Sequence, residues 1–152
     1  MKNFFSLLIL LLPVMGIAQT SPSTPAKQTR LENMLGKSGY EFSKAADNVF
    51  VCTQEGKNMK ELVIIATEAD DITVLFCVIK EKSSEGMTVS QYKQLLKLAL
   101  EYDKVKIGLD DEDSLMIRVD YSTRLVDLDD LILGLNNLSA ASDEAYAIVV
   151  KK

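Results

Sequence analysis

The stretch Leu95–Tyr121, LLKLALEYDKVKIGLDDEDSLMIRVDY, holds the end of a helix and a complete strand pair, and its reading decides the fold. Val105, Ile107 and Leu109 alternate with Lys104 and Lys106. Leu115, Ile117, Val119 and Tyr121 then alternate with Met116, Arg118 and Asp120. A two-residue period of this kind belongs to antiparallel strands with one buried and one wetter face. Asp110-Asp111-Glu112-Asp113 between the two runs is the chemistry of a turn.

A helix over Val89–Tyr102 precedes the hairpin. Thr88 with Gln91 three residues on is a capping box. Ser90, Lys93, Gln94, Lys97 and Glu101 make one narrow polar stripe, and the rest of the circumference is apolar. A face that wide predicts burial on more than one side. A second helix, Asp127–Val149, follows the hairpin. Its stripe is Leu128, Leu131, Ile132, Leu135, Leu138, Ala145 and Val149, and Asp127, Asp129 and Asp130 suit its positive end.

Three runs rich in β-branched and aromatic residues lie further upstream: Val49–Thr53, Leu62–Thr67 and Ile72–Ile79. The links Gln54–Lys60 and Glu68–Asp71 are too short for parallel crossovers and predict an antiparallel meander. Before them, Thr29–Lys37 reads as a helix with Leu31, Met34 and Leu35 on one face, and Tyr40 and Phe42 as an extended connection. The expected fold is α+β, an antiparallel five-stranded sheet with helices mainly on one side, in the order α-β-β-β-α-β-β-α.

This order, with LENMLGKSGYEF (Leu31–Phe42), the quoted stretch Leu95–Tyr121 and LVDLDDLILGLNNLSAASDEAY (Leu125–Tyr146), resembles the YbjN-like family, which has the fold of the class I type III secretion chaperones. The resemblance spans about Thr29 to Val149 and rests on element order and apolar pattern. It implies a protein-binding module, often dimeric in the chaperone branch, with no reaction attached. Secretion chaperones work in the cytoplasm, whereas this chain begins like an exported protein, so the fold carries over and a type III effector does not.

Met1–Ala18 reads as a secretory signal peptide. Lys2 is its positive region, Phe4–Leu12 its apolar core, and Gly16-Ile17-Ala18 its small-x-small cleavage pattern. The apolar run is shorter than the ~20 residues of a spanning helix. No cysteine follows the cleavage point, so no lipoprotein anchor is indicated. Residues 19–28 (QTSPSTPAKQ) form a flexible lead-in, and residues 29–152 one domain. The expected location is the periplasm, or otherwise the medium, with no stable membrane insertion after cleavage.

The 152 residues carry 17 basic and 22 acidic side chains, a net charge of −5 that grows by one when Lys2 leaves with the leader. An acidic domain without a basic cluster has no reason to seek phosphate backbones, which argues against nucleic acid. With no histidine, the commonest neutral-pH base and the commonest metal ligand are missing, and serine–histidine and cysteine–histidine pairs are excluded. The chain is therefore read as a non-enzyme without cofactor or metal.

The best functional clue is the strand Ile72–Ile79, apolar on both faces. The partner-facing candidates are Val63, Ile65, Leu75, Cys77 and Ile79. The same face is otherwise covered within the monomer by a helix or by the Tyr40–Phe42 segment. Cys52 and Cys77 are two buried free thiols, a disulfide, or a reactive thiol, and a middle strand between them would hold the backbones ~9–10 Å apart. Asp110–Asp113 lacks calcium-loop spacing and reads as a solvated turn, as do Glu68, Asp70 and Asp71. Asn137-Leu138-Ser139 matches a glycosylation triplet inside a predicted helix and is read as accidental. The resulting expectation is an exported, non-catalytic module that binds another protein or itself, with a small-ligand-binding or structural periplasmic domain as the alternative.

Overall fold

The computed structural model describes residues 29–80 and 86–150. The leader, the lead-in and the greater part of the loop after Lys80 lie outside these residues. The described elements run α1 (Arg30–Ser38), β1 (Phe42–Ala46), β2 (Val49–Gln54), β3 (Leu62–Ala69), β4 (Ile72–Lys80), α2 (Val89–Leu98), β5 (Val105–Leu109), β6 (Leu115–Ser122) and α3 (Leu128–Val149).

The strands form one antiparallel sheet of order β1-β2-β3-β4-β6-β5. The first four strands are a meander. The chain then passes through α2, returns at the far edge as β5, and turns inward so that β6 pairs with β4. The sheet thus has six strands where the sequence pattern predicts five. The added strand is β1, paired with β2 through Phe42↔Cys52 and Lys44↔Phe50. Four of its five residues are exposed. An edge strand with so little burial carries no apolar alternation, which is why only its first residue reads as extended.

Local chemistry sets the helix ends. Thr29 and Glu32 form a capping box on α1, and Gly39 ends it in the left-handed region at φ 82°. Thr88 and Gln91 cap α2 as their spacing predicts. Gln91 Nε2 also donates to the Ile148 carbonyl at 2.9 Å, tying α2 to the end of α3. Asp127 accepts from Asp130 N at 2.9 Å, and Asp129 and Asp130 occupy the first turn of α3.

All three helices lie over one face of the sheet, with α3 seated against β4 and β6. The core between the layers contains Leu31 and Leu35 of α1, Phe50, Leu62, Ile64, Leu75, Ile117 and Val119 of the sheet, and Leu131, Leu135 and Leu138 of α3, all fully buried. Each such side chain contributes roughly 1.5–3 kcal/mol. Gly134 is where helix and sheet come closest. A Cβ there would stand 2.5 Å from Tyr121 Oη and 3.1 Å from Leu75 Cδ1. Tyr121 Oη in turn donates to the Asp130 carbonyl at 2.8 Å.

The burial expected on more than one side of α2 does not occur. Leu95 and Leu98 are buried, but Val89 and Leu96 are about 70% exposed and Leu100 is 88% exposed. The helix also stops at Leu98, not Tyr102. It lies at the flank of the helix layer, where only one side meets α3 and the sheet.

Candidate protein-binding surface

Among the described residues no helix lies on the outer face of the sheet, and its register can be followed strand by strand. Val51 pairs with Ile65, Ile65 with Phe76, and Phe76 with Arg118, which pairs with Lys106. Antiparallel partners share a face, so these five residues form one row across it. The parallel rows hold Val74 opposite Asp120 and Val78 opposite Met116. Val63, Ile72 and Val78 are 40%, 48% and 41% exposed, with Ile65, Val74, Phe76 and Met116 half-buried beside them.

The sequence-derived candidates divide between the two faces. Val63 and Ile65 lie on the outer face. Leu75, Cys77 and Ile79 do not: they are 0%, 1% and 7% exposed beneath the helices. The pairing Ile65↔Phe76, with Ala66↔Leu75, puts Ile65 with Val74, Phe76 and Val78 and sends Leu75 inward. Alternation alone cannot phase one strand against the next across a turn, and a one-residue error exchanges the faces. The corrected outer set is Val63, Ile65, Ile72, Val74, Phe76 and Val78.

Charge borders this apolar field on the β5–β6 side. Asp120 accepts from Lys106 Nζ at 2.7 Å and from Arg118 Nε. Burial pushes the Asp120 carboxyl up, but the Lys106 and Arg118 cations outweigh it and hold the group below its ordinary value.

A second apolar feature is the groove between α2 and β5, ≈ 180 Å³, lined by Tyr92, Leu95, Leu96, Ile107, Gly108, Leu109 and Leu115. Its β5 wall is the last strand of the sheet.

A third feature, on the helix side, is a polar cleft of ≈ 270 Å³ between α3 and the loop joining β2 to β3. Asp143 of α3 anchors that loop. Its Oδ1 accepts from Asn58 N at 2.7 Å and Met59 N at 2.8 Å, and its Oδ2 accepts from Asn58 Nδ2 at 2.8 Å. Burial raises the Asp143 carboxyl, but backbone donors from Met59 and Asn58, the Asn58 amide and the Lys57 backbone overcome it, so the group sits below its ordinary value. Gly56 leaves room for this carboxylate: a Cβ there would lie 2.3 Å from Asp143 Oδ1. Tyr40 Oη donates to Asn136 Oδ1 at 2.6 Å across the cleft mouth. Burial pushes the Tyr40 phenol up, partly offset by the neighbouring Ser139 hydroxyl. Sequence reading passed over Asp143, although an aspartate in the middle of an apolar helix is the signal that finds it.

Cys52 and Cys77 are free and buried. Cys52 pairs with Ile64 of β3, so a whole strand separates the two thiols. Two strand spacings, ~9–10 Å, exceed the reach of a disulfide. Burial pushes the Cys52 thiol up to about 11 and the Cys77 thiol in the same direction, the opposite of what a nucleophile needs. Asp110 Oδ1 accepts from Glu112 N and Ser114 N at 2.9 and 2.8 Å, so that carboxylate is occupied in shaping its turn. Asp71 pairs with Arg124, and Asp70 takes φ 49° at the β3–β4 turn. Asn137 and Ser139 lie within α3, and Ser139 is buried. Among the described residues no group of three or more histidine, cysteine or acidic side chains could hold a metal ion. No described helix is long and apolar enough to cross a membrane.

No protein-family model matches the chain, and no curated protein matches it in sequence. Solved structures do match it in fold. One is a chain of the heterodimeric ExoU–SpcU complex from the type III secretion system of Pseudomonas aeruginosa, at TM-score 0.62 and 14% identity, over 79% of this chain and 98% of that one. A chain of the ExsC–ExsE complex matches at TM-score 0.52 and 10% identity, over 77% and 88%. YbjN, a candidate transcription regulator from E. coli, matches at TM-score 0.55 and 16% identity, over 77% and 89%. The fold is thus YbjN-like and type III secretion chaperone-like, as the element order implies.

Proposed function

We propose that the protein is an exported, non-catalytic module that binds another polypeptide through the outer face of its sheet. The observation that carries this reading is the field of Val63, Ile72 and Val78, each 40% or more exposed, around half-buried Ile65, Val74 and Phe76. An apolar field rimmed by Lys106, Arg118 and Asp120 is the make-up of a contact surface. Two of the structures that share the fold are protein–protein complexes, which supports binding as the role. Export rests on the leader Met1–Ala18.

Self-association is the second reading, favoured by the α2–β5 groove and by Leu96 and Leu100 exposed beside it. A homodimer through that groove would leave the outer sheet face free. In-cell cross-linking followed by light scattering tests both. A partner adduct lost in Val63→Asp/Val78→Asp but kept in Leu96→Asp supports the outer face. A dimer lost only in Leu96→Asp supports the groove, and a chain with neither adduct nor dimer overturns both. Export is checked by the N-terminus of the periplasmic protein, expected at Gln19. A full-length chain confined to the cytoplasm would refute it.

A further inference from the structure

The outer sheet face carries opposite charges at its two edges, and that division makes it complementary to itself. We propose that the polypeptide bound by this face is a second copy of the same chain, stacked sheet against sheet about a two-fold axis running along the strands between β3 and β4. The inference rests on the outer face being the contact surface and names what covers it.

One row of the ladder carries the argument. Ser43, Val51, Ile65, Phe76, Arg118 and Lys106 follow one another across it, one residue from each strand in sheet order. Val51, Ile65 and Phe76 in its middle are apolar and half-buried. At the β5 edge, Lys106 and Arg118 share the one carboxylate of Asp120, which leaves a positive charge in excess, and the Lys106 side chain is 67% exposed. At the β1 edge, Glu41 lines a shallow hollow with Ser43, Val51 and Thr53. It is exposed and makes no ion pair among the described residues. Five strand spacings, about 24 Å, separate the two edges.

A two-fold contact uses the same patch on both copies, so the patch must complement itself. An axis between β3 and β4 exchanges the ends of the row. Ile65 of one copy then falls over Phe76 of the other, and Val51 over the stem of Arg118. Ser43, with Glu41 beside it, falls over Lys106. Apolar surface meets apolar surface at the centre, and opposite charges meet twice at the rim. Val63, Ile72, Val74 and Val78 on the neighbouring rows are the β-branched residues that interlock when two sheets stack ~10 Å apart. A field of roughly 24 Å by 23 Å buries about 1,100 Å² over both copies, which clears the ~1,000 Å² of a biological interface and suits a reversible dimer.

The test is light scattering and sedimentation equilibrium of the purified chain at concentrations up to about 1 mM. A reversible dimer is expected, weakened about 100-fold or more by Val78→Asp. Glu41→Lys and Lys106→Glu should each weaken it about tenfold, because every change enters the contact twice. Lys106→Glu also faces Asp120, so Glu41→Lys, at an exposed position, is the cleaner single change. The paired exchange Glu41→Lys/Lys106→Glu should recover most of the lost affinity, which no unrelated partner would produce. Melting temperatures taken where the parent is monomeric separate a lost contact from a lost fold. A dimer that Val78→Asp leaves intact, or one that the paired exchange fails to recover, overturns the inference. A chain monomeric throughout overturns it as well. If a cross-linked adduct with a different protein is then still lost in Val63→Asp/Val78→Asp, the outer face stands as the contact surface and only its occupant changes.

Discussion

Leu75 and Val78 are three residues apart on β4, and the two faces they belong to are built from the same residue types. On the inner face Leu75, Ile64 and Ile117 are completely covered, whereas on the outer face Val78, Val63 and Ile72 keep 40% or more of their surface in water. Composition therefore does not separate a core face from a contact face here. What separates them is where the helices land. Gly134 decides that, since only a residue without a side chain lets α3 settle against Tyr121 and Leu75. A face of valines and isoleucines that no described element covers is the costly choice for a lone domain, which is the ground of the proposed partner surface.

The sharpest break of this comparison is Leu75→Asp. A carboxylate placed among Ala66, Val119 and α3 finds no partner, and a loss of about 4 kcal/mol or more is expected, enough to unfold the domain. Urea denaturation followed by circular dichroism measures it. A folded variant of ordinary stability would mean that the inner face is not the core.

Asp143→Ala tests how the rim of the inner layer is held. It removes three hydrogen bonds to a charged acceptor and strands the Asn58 and Met59 N–H groups, with an expected loss of about 2–3 kcal/mol. Its pH dependence has a definite sign. The folded carboxyl lies below its ordinary 3.8, so its contribution is complete above that value and disappears as pH falls through the lower folded one. The stability gap between parent and variant should therefore be constant at neutral pH and close in acid. A gap that widened in acid would contradict the assigned bonds.

Gly134→Ala asks whether the helix seat is as tight as the geometry indicates. The added methyl meets the Tyr121 ring and hydroxyl, and the helix must lift or the ring must turn, at about 1–3 kcal/mol. Alanine otherwise favours a helix by about 1 kcal/mol over glycine, so a stabilised variant would show that the contact relaxes freely.

The parts of this architecture that read directly from sequence are those with local causes. The Thr88–Gln91 capping box, the β5–β6 alternation and the acidic start of α3 each depend on residues within a few positions of one another. β1 is not readable in this way, because its strand character comes from pairing with β2 and not from its own residues. The side of each strand that faces the helices is equally non-local. Val63 and Leu75 both show an apolar alternation, and only the register across the Glu68–Asp71 turn tells that they point in opposite directions. The polar cleft is harder still. Tyr40, Gly56, Asn136 and Asp143 come from three separate elements, and nothing in their spacing brings them together.

Val78→Asp has the smallest expected effect on stability and is the most informative partner to Leu75→Asp. Its side chain already reaches water, so the charge can stay solvated. What remains is the poorer fit of aspartate to a central strand, within about 1 kcal/mol. The same substitution puts a negative charge in the middle of the apolar field, across the ladder from Met116. A partner that buries this field must then desolvate a carboxylate, so binding should fall by far more than stability does. Melting temperature and partner affinity measured on the one variant separate the two quantities. Should Val78→Asp destabilise the chain as severely as Leu75→Asp, the outer face is covered in the folded protein, and the distinction between the two faces fails.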